Sequence, residues 1–147
     1  GAQRHKGYVQ ALQESGIPYD PENVIWFHTE DRKTKPSLML SMLLDSKKSV
    51  DAAVCYNDQI ALAVISMLEQ KGISVPEDLS VTGFDDNIYA RLSRPMLTTV
   101  RQKPEEKGKE AVGLLMRRIY GEEVPVGRMR LPTELIVRES VRNLADR

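Results

Sequence analysis

The chain has 147 residues, of which 41% are hydrophobic, enough for one core of ordinary domain size. The 21 Lys plus Arg residues are balanced by 21 Asp plus Glu, so the formal net charge is zero. That balance lacks the basic surplus of a phosphate-binding module, and apolar residues spread along the chain argue against disorder. Residues 4–15 have helical spacing, with Tyr8, Ala11, Leu12 and Ser15 at i, i+3, i+4, i+7 and Gly16 as a stop signal. Pro18, Asp20 and Pro21 make a connection. The apolar run 24–27 suits a strand covered on both faces, as in a parallel sheet. After a polar stretch to Lys35, Pro36 and Ser37 open a helix with Leu38, Met39, Met42 and Leu43 on one side.

The pattern then repeats. Residues 52–56 read as a second strand, and Asn57-Asp58 begins a helix that runs to Lys71 and closes at Gly72. A loop at 75–78 leads to a third strand at 79–84, and 85–87 start a short helical turn. Alternation of this kind predicts βαβ units, hence an α/β fold with a parallel sheet flanked by helices. Residues 97–100 form a short strand. Pro104 starts an amphipathic helix to Tyr120, striped by Gly108, Ala111, Val112, Leu115 and Ile119. A surface connection at 124–132, a last strand at 135–137 and a fraying tail after Glu139 complete the expectation.

In open parallel sheets, ligands bind beyond the carboxyl ends of the strands. Three such ends offer His28, Thr29, Glu30 and Asp31, then Asn57 and Asp58, then Asp85, Asp86 and Asn87, with Arg4 in reach of the same edge. The set suits a neutral polyol. A carboxylate such as Asp85 accepts from two adjacent hydroxyls, Arg4 presents a planar fork of donors, and the Asn57 amide both donates and accepts. Tyr56, Trp26 or Tyr89 can cover an apolar sugar face. The plainer alternatives stay open: Asn57 and Asp85 are good helix N-caps, and Asp58 and Asp86 read as caps or solvated acids. By the same reasoning Arg4 is a surface charge, His28 a loop residue, and Cys55 and Trp26 core residues.

Enzymatic patterns are missing. There is no GxSxG, CxxC or GxxxxGK[ST], and His5 and His28 alone supply no metal-ligand spacing, so neither a metal nor a cofactor is expected. A magnesium-holding acid cluster of the receiver type fits poorly, because the other strand ends lack the matching nucleophile and Lys. Cys55 is the only cysteine, so no internal disulfide forms, which fits a reducing cytoplasm. No apolar run approaches the roughly 18 residues that span a membrane. The opening residues read as the interior of a segment already under way, and a piece of a longer protein is expected.

Several motifs together resemble the LacI/GalR-type sensor domain, built like a periplasmic sugar-binding protein. They are Arg4-x-x-Gly7-Tyr8-x-x-Ala11-Leu12, Cys55-Tyr56-Asn57-Asp58-x-x-Ala61, and Val75-Pro76-Glu77-Asp78-x-Ser80-Val81-x-Gly83-Phe84-Asp85-Asp86. Pro95-x-Leu97-Thr98-Thr99-Val100-x-Gln102 follows, so the resemblance covers nearly the whole chain. Residues 27–31, 35–36, 55–62 and 134–140 look like arabinose-responsive members, in which a GntR-type winged helix precedes the sensor. The resemblance implies a dimeric repressor with L-arabinose as effector and operator DNA bound by a domain outside these residues. A periplasmic sugar receptor is the alternative. Position matching implies effector contacts at Arg4, Asn57 and Asp85, with Gln102 near the crossover and Glu30 on a variable ligand-facing loop. It implies a carboxyl-terminal lobe at 1–101, a crossover segment and helix of a first lobe at 102–130, and a return to the second lobe at 131–147. The helix after Asn57 is apolar almost all round, so one side is expected to cover the sheet and another to form a dimer interface, with Leu62, Ile65 and Ile88 as its residues.

Overall fold

The computed structural model describes residues 1–46, 49–124 and 129–146. Helix α1 spans Ala2–Glu14, and α2 spans Lys35–Asp45 with Pro in its first turn, where a missing N–H is tolerated. Strand β1 (Ala52–Val54) leads into α3 (Asp58–Gln70), whose first turn is capped by the Asn57 side chain accepting from Ile60 N at 3.0 Å. Gly72, at φ +72°, follows its last turn, and only a residue without Cβ adopts that conformation freely. Then come β2 (Ser80–Thr82), α4 (Ile88–Leu92), β3 (Thr99–Arg101), α5 (Pro104–Ile119) and β4 (Glu134–Ile136).

Strands β1 and β2 are parallel, pairing Ala52 with Ser80 and Val54 with Thr82, with α3 as their crossover. The parallel course continues to the next strand: Gly83 N donates to Thr98 O and Asp85 N to Val100 O, both at 2.9 Å. Strand β4 closes the edge antiparallel to β3, pairing Glu134 with Arg101 and Ile136 with Thr99. The α/β architecture expected from the alternation is therefore present, with one antiparallel strand added. Its core is built by α3 residues Ile60, Ala61, Val64, Ile65 and Leu68, meeting Leu40 of α2, Leu79, Val81, Ala90 of α4 and Leu97.

Three expectations are corrected. The run 24–27 forms no strand ladder. Ile25 and Phe27 pack on the core while Trp26 is 62% exposed, so alternate side chains face opposite ways and only one face is covered. The tail after Glu139 does not fray at its start. Ser140 is wholly buried between β2 and the segment before β3, its Oγ donating to Val81 O (2.6 Å) and accepting from Thr98 N (2.8 Å), while Val81 N donates to Ser140 O (2.8 Å). Arg142 Nη1 then donates to Glu77 O at 2.6 Å. Asp58 and Asp86 are neither caps nor solvated acids, since both are buried and bonded within the protein. The expected connection at 124–132 lies partly outside the described residues.

The α5 stripe lies largely open. No residue of α5 is buried, and Val112, Leu115 and Ile119 are exposed. A cleft of about 300 Å³ separates α5 from residues 129–133, lined by Leu114, Met129 and Leu131, with Gln102 also in its wall.

Candidate functional site

The ends of β1, β2 and β3 bring four of the expected residues to one edge. Arg4 reaches over from α1. Its guanidinium lies 3.7 Å from the Phe84 ring centroid and 4.5 Å from that of Tyr56, and its Nη1 donates to Tyr56 O. Two aromatic rings and a carbonyl thus fix the cation, each ring by attraction to its negative face. Nη2 of the same guanidinium stands 3.9 Å from Asp85 Oδ1. On the other side, Gln102 Nε2 donates to that same Oδ1 at 2.5 Å.

Asp85 adopts φ +123°, a conformation that L residues avoid, and Asp86 follows at φ +54°. Such backbones persist where surroundings hold them and concentrate at ligand clamps, at a cost of about 1–3 kcal/mol. Here the Asp85 N–H is bonded to Val100 O on one side and Asp86 is anchored on the other. Asp85 Oδ2 makes no hydrogen bond among the described residues and is open to a ligand hydroxyl.

Asn57 sits directly after Tyr56 at the end of β1. Its oxygen is used on the α3 cap, while its amide nitrogen makes no hydrogen bond among the described residues, so capping and donation to a ligand are compatible. Glu30 lies exposed on the turn Thr29–Asp31 and forms no hydrogen bond or ion pair with Arg4, Asp85 or Gln102. Tyr56 packs edge-on against Phe27 at 6.4 Å. Trp26 and Tyr8 instead gather with Tyr19 around His5, whose Nε2 lies 3.2 Å from Tyr19 Oη.

Two buried acids lie immediately behind the open ones. Asp58 Oδ1 accepts from Thr99 Oγ1 (2.5 Å) and Oδ2 from Asn87 N (2.9 Å). Gly83 belongs to this arrangement, because a Cβ there would overlap Asp58 Oδ1 and the Leu97 side chain. Asp86 Oδ1 accepts from Arg138 Nη2 (2.5 Å), and Oδ2 from Arg101 Nε (2.7 Å) and Arg91 Nη2 (3.2 Å). Burial alone pushes the Asp86 carboxyl up, but the hydrogen bonds from Arg138 and Arg101 outweigh it and hold the group below the usual carboxylate range. Burial pushes the Cys55 thiol up to about 12, so it remains a protonated core thiol.

Sequence reasoning did not pick out Phe84, Thr99, Arg101 or Arg138. Phe84 precedes Asp85 in the same motif, which was the available signal. Among the expected interface residues, Ile88 is 61% exposed on α4 beside the exposed Tyr89 and Leu92, Leu62 is half-buried, and Ile65, at 7%, is taken up by the core. No group of three metal-binding side chains occurs among the described residues, and among them no helix is long and apolar enough to cross a membrane.

The parallel α/β edge gathers Arg4, Asn57, Asp85 and Gln102, and comparison with known proteins gives the family of the chain. Residues 1–141 match the periplasmic binding protein-like domain, and the chain belongs to that family. The arabinose metabolism transcriptional repressor of Geobacillus stearothermophilus is 34% identical over 147 residues, 98% of this chain and 40% of that protein. The HTH-type transcriptional repressor CytR of Escherichia coli (strain K12) is 37% identical over 141 residues, 96% of this chain and 41% of that protein. A solved complex of the transcriptional regulator CelR with cellobiose superposes with a TM-score of 0.86 at 36% identity, covering 95% of this chain and 42% of that one. The relatives are transcription regulators, as the motifs implied, and the chain spans about 40% of the length of the curated ones.

Proposed function

We propose that this chain is the effector-binding and dimerising region of a cytoplasmic transcription repressor, and that its effector is a small sugar. The observation that carries the reading is the Asp85 carboxylate, shared between Arg4 and Gln102 with one oxygen unoccupied, beside the free amide of Asn57. These groups match a sugar's hydroxyls: the open Asp85 Oδ2 accepts from one, Arg4 and Asn57 donate to oxygens, and the Tyr56 and Phe84 rings give an apolar flank. The cellobiose carried by the similar CelR and the name of the arabinose repressor support a sugar as the ligand class, and L-arabinose is the first candidate.

In the intact protein, residues 1–101 and 131–147 form one wall of the cleft, and 102–130 cross to a second lobe supplied by other parts of the protein. The open stripe of α5 supports that assignment. Sugar held between two walls favours their closed arrangement, and only that differential affinity biases an attached DNA-binding domain away from operator DNA. The exposed apolar residues of α4 and the half-buried Leu62 of α3 contribute to the homodimer face. Glu30 contacts the sugar after closure.

Calorimetry on the intact protein with L-arabinose, D-ribose and cellobiose tests the reading. Asp85→Asn and Arg4→Met should each weaken the preferred sugar about 10–100-fold, the worth of one or two charge-assisted hydrogen bonds, while operator binding survives. Wild-type affinity in both variants, or no binding of any of the three sugars, overturns it.

A further inference from the structure

We infer that Asp86 is the positioning residue of this site: it holds the chain reversal that carries Asp85 and locks it to the two strands by which the chain leaves and re-enters this body. The inference rests on the ligand-site reading of Asp85 but concerns a residue that no ligand touches.

Two adjacent pairs of residues stand side by side at the end of the parallel course. Asp85 and Asp86 end one strand course, and Arg101 and Gln102 end its parallel neighbour, with Asp85 bridged to Arg101 through the backbone. Regular strand alternation would set Asp85 beside Arg101 and Asp86 beside Gln102. The positive φ of both aspartates takes them off strand geometry and the pairs cross: Asp85 meets Gln102 on the open side at 2.5 Å, while Asp86 meets Arg101 on the closed side at 2.7 Å. The two contacts sit back to back on the same pair of chain segments. A change in one side-chain pair is felt by the other through one peptide bond on each segment.

The closed side is a clasp. The Asp86 side chain is wholly enclosed, and both of its oxygens are used. Its partners come from α4 (Arg91), β3 (Arg101) and the stretch after β4 (Arg138). Arg101 also holds Glu134 across the β3–β4 ladder at 3.2 Å, and Arg138 donates to Leu97 O at 2.8 Å. Two residues past Arg101, Lys103 takes φ +49° and α5 begins. The clasp thus spans the departing strand, the returning strand and the reversal at Asp85. Removing its one enclosed carboxylate would leave three guanidiniums facing each other, while the hydrophobic core, which lies around α3, keeps its packing.

A merely structural acid would change stability alone. A positioning residue changes the ligand site at temperatures where the fold is intact. Two readouts on the intact protein separate these roles: amide exchange without ligand, and sugar affinity by calorimetry well below the Tm. Asp86→Asn should speed exchange of the Asp85 amide at least about tenfold relative to the Val81 amide, and weaken the preferred sugar by about tenfold. Arg101→Met should do the same, and Arg101→Lys should recover most of both effects. Arg91→Met, which removes the longest and most exposed of the three contacts, should change both by less than about threefold. If Asp86→Asn does not fold, the Arg101→Met and Arg101→Lys pair decides. Unchanged Asp85 exchange in the folded variants, or unchanged sugar affinity beside a lowered Tm, overturns the inference. If the wild type binds no sugar, the functional reading falls by itself, and the exchange comparison still decides whether Asp86 holds Asp85.

Discussion

Thr99 Oγ1 donates to Asp58 at 2.5 Å in the interior, tying the first turn of α3 to β3 across 41 residues of sequence. Both residues are fully buried, and the other Asp58 oxygen accepts from the N–H of Asn87. A charged acceptor that loses one of two partners in the interior loses more than an ordinary hydrogen bond is worth. Thr99→Val keeps the shape and removes only the donor, so it should destabilise the protein by about 1–3 kcal/mol in urea titration. A smaller loss than about 0.5 kcal/mol would mean that water replaces the hydroxyl.

The three expected interface residues make a contrast that association measurements can use. Ile65 belongs to the core, so Ile65→Ala should cost about 2–5 kcal/mol of stability. Ile88 stands on the surface of α4 with Tyr89 and Leu92, so at concentrations low enough that the wild type is monomeric Ile88→Glu should leave urea stability within about 0.5 kcal/mol. In sedimentation velocity Ile88→Glu should shift the intact protein from dimer to monomer. An unchanged dimer would move the interface away from α4.

Much of this arrangement was legible in the order of residues. The helix starts at Pro36, Asn57 and Pro104 and the stop at Gly72 were read from capping and breaker chemistry, which acts within a few residues. Placing Asn57 and Asp85 at one edge followed from βαβ alternation, since parallel strands end on the same side, and Arg4 joined them by its place at the start of the first helix. The partners of Asp86 were not legible, because an acid beside another acid reads alike in water or among arginines. Its three arginines lie 5, 15 and 52 residues away. The direction of β4 was equally hidden, because a short apolar run such as Leu135-Ile136-Val137 pairs in either sense. Trp26 was misread for a related reason: a continuous apolar run does not say whether one or both of its faces are covered.

The Asp86 clasp gives a pH dependence with a definite sign. Its carboxyl is held below the ordinary range in the folded protein. The stabilisation is therefore complete above the unfolded aspartate value of about 3.9, and it is lost as pH falls from there through the folded value. The stability difference between wild type and Asp86→Asn should be flat from about pH 5 to 8 and shrink below about pH 4. A difference that instead changes between pH 6 and 8 would show a histidine, not Asp86, governing the transition.

Ser140 supports a last prediction, about how far the folded unit extends toward its C-terminus. Its hydroxyl donates to Val81 O and accepts from Thr98 N, and its carbonyl accepts from Val81 N, so one residue satisfies three backbone groups between adjacent strand courses. Ser140→Ala removes the hydroxyl and leaves the Thr98 N–H without that acceptor in a site with no exposed surface. The expected loss is about 1–3 kcal/mol, and Thr98 amide exchange should accelerate. Arg142→Ala removes the contact to Glu77 O at the exposed end and should cost under about 1 kcal/mol. The ordering Ser140→Ala above Arg142→Ala in a urea series places the end of the cooperative unit between the two residues. Equal and negligible losses would mean that the segment after Glu139 detaches before the core unfolds.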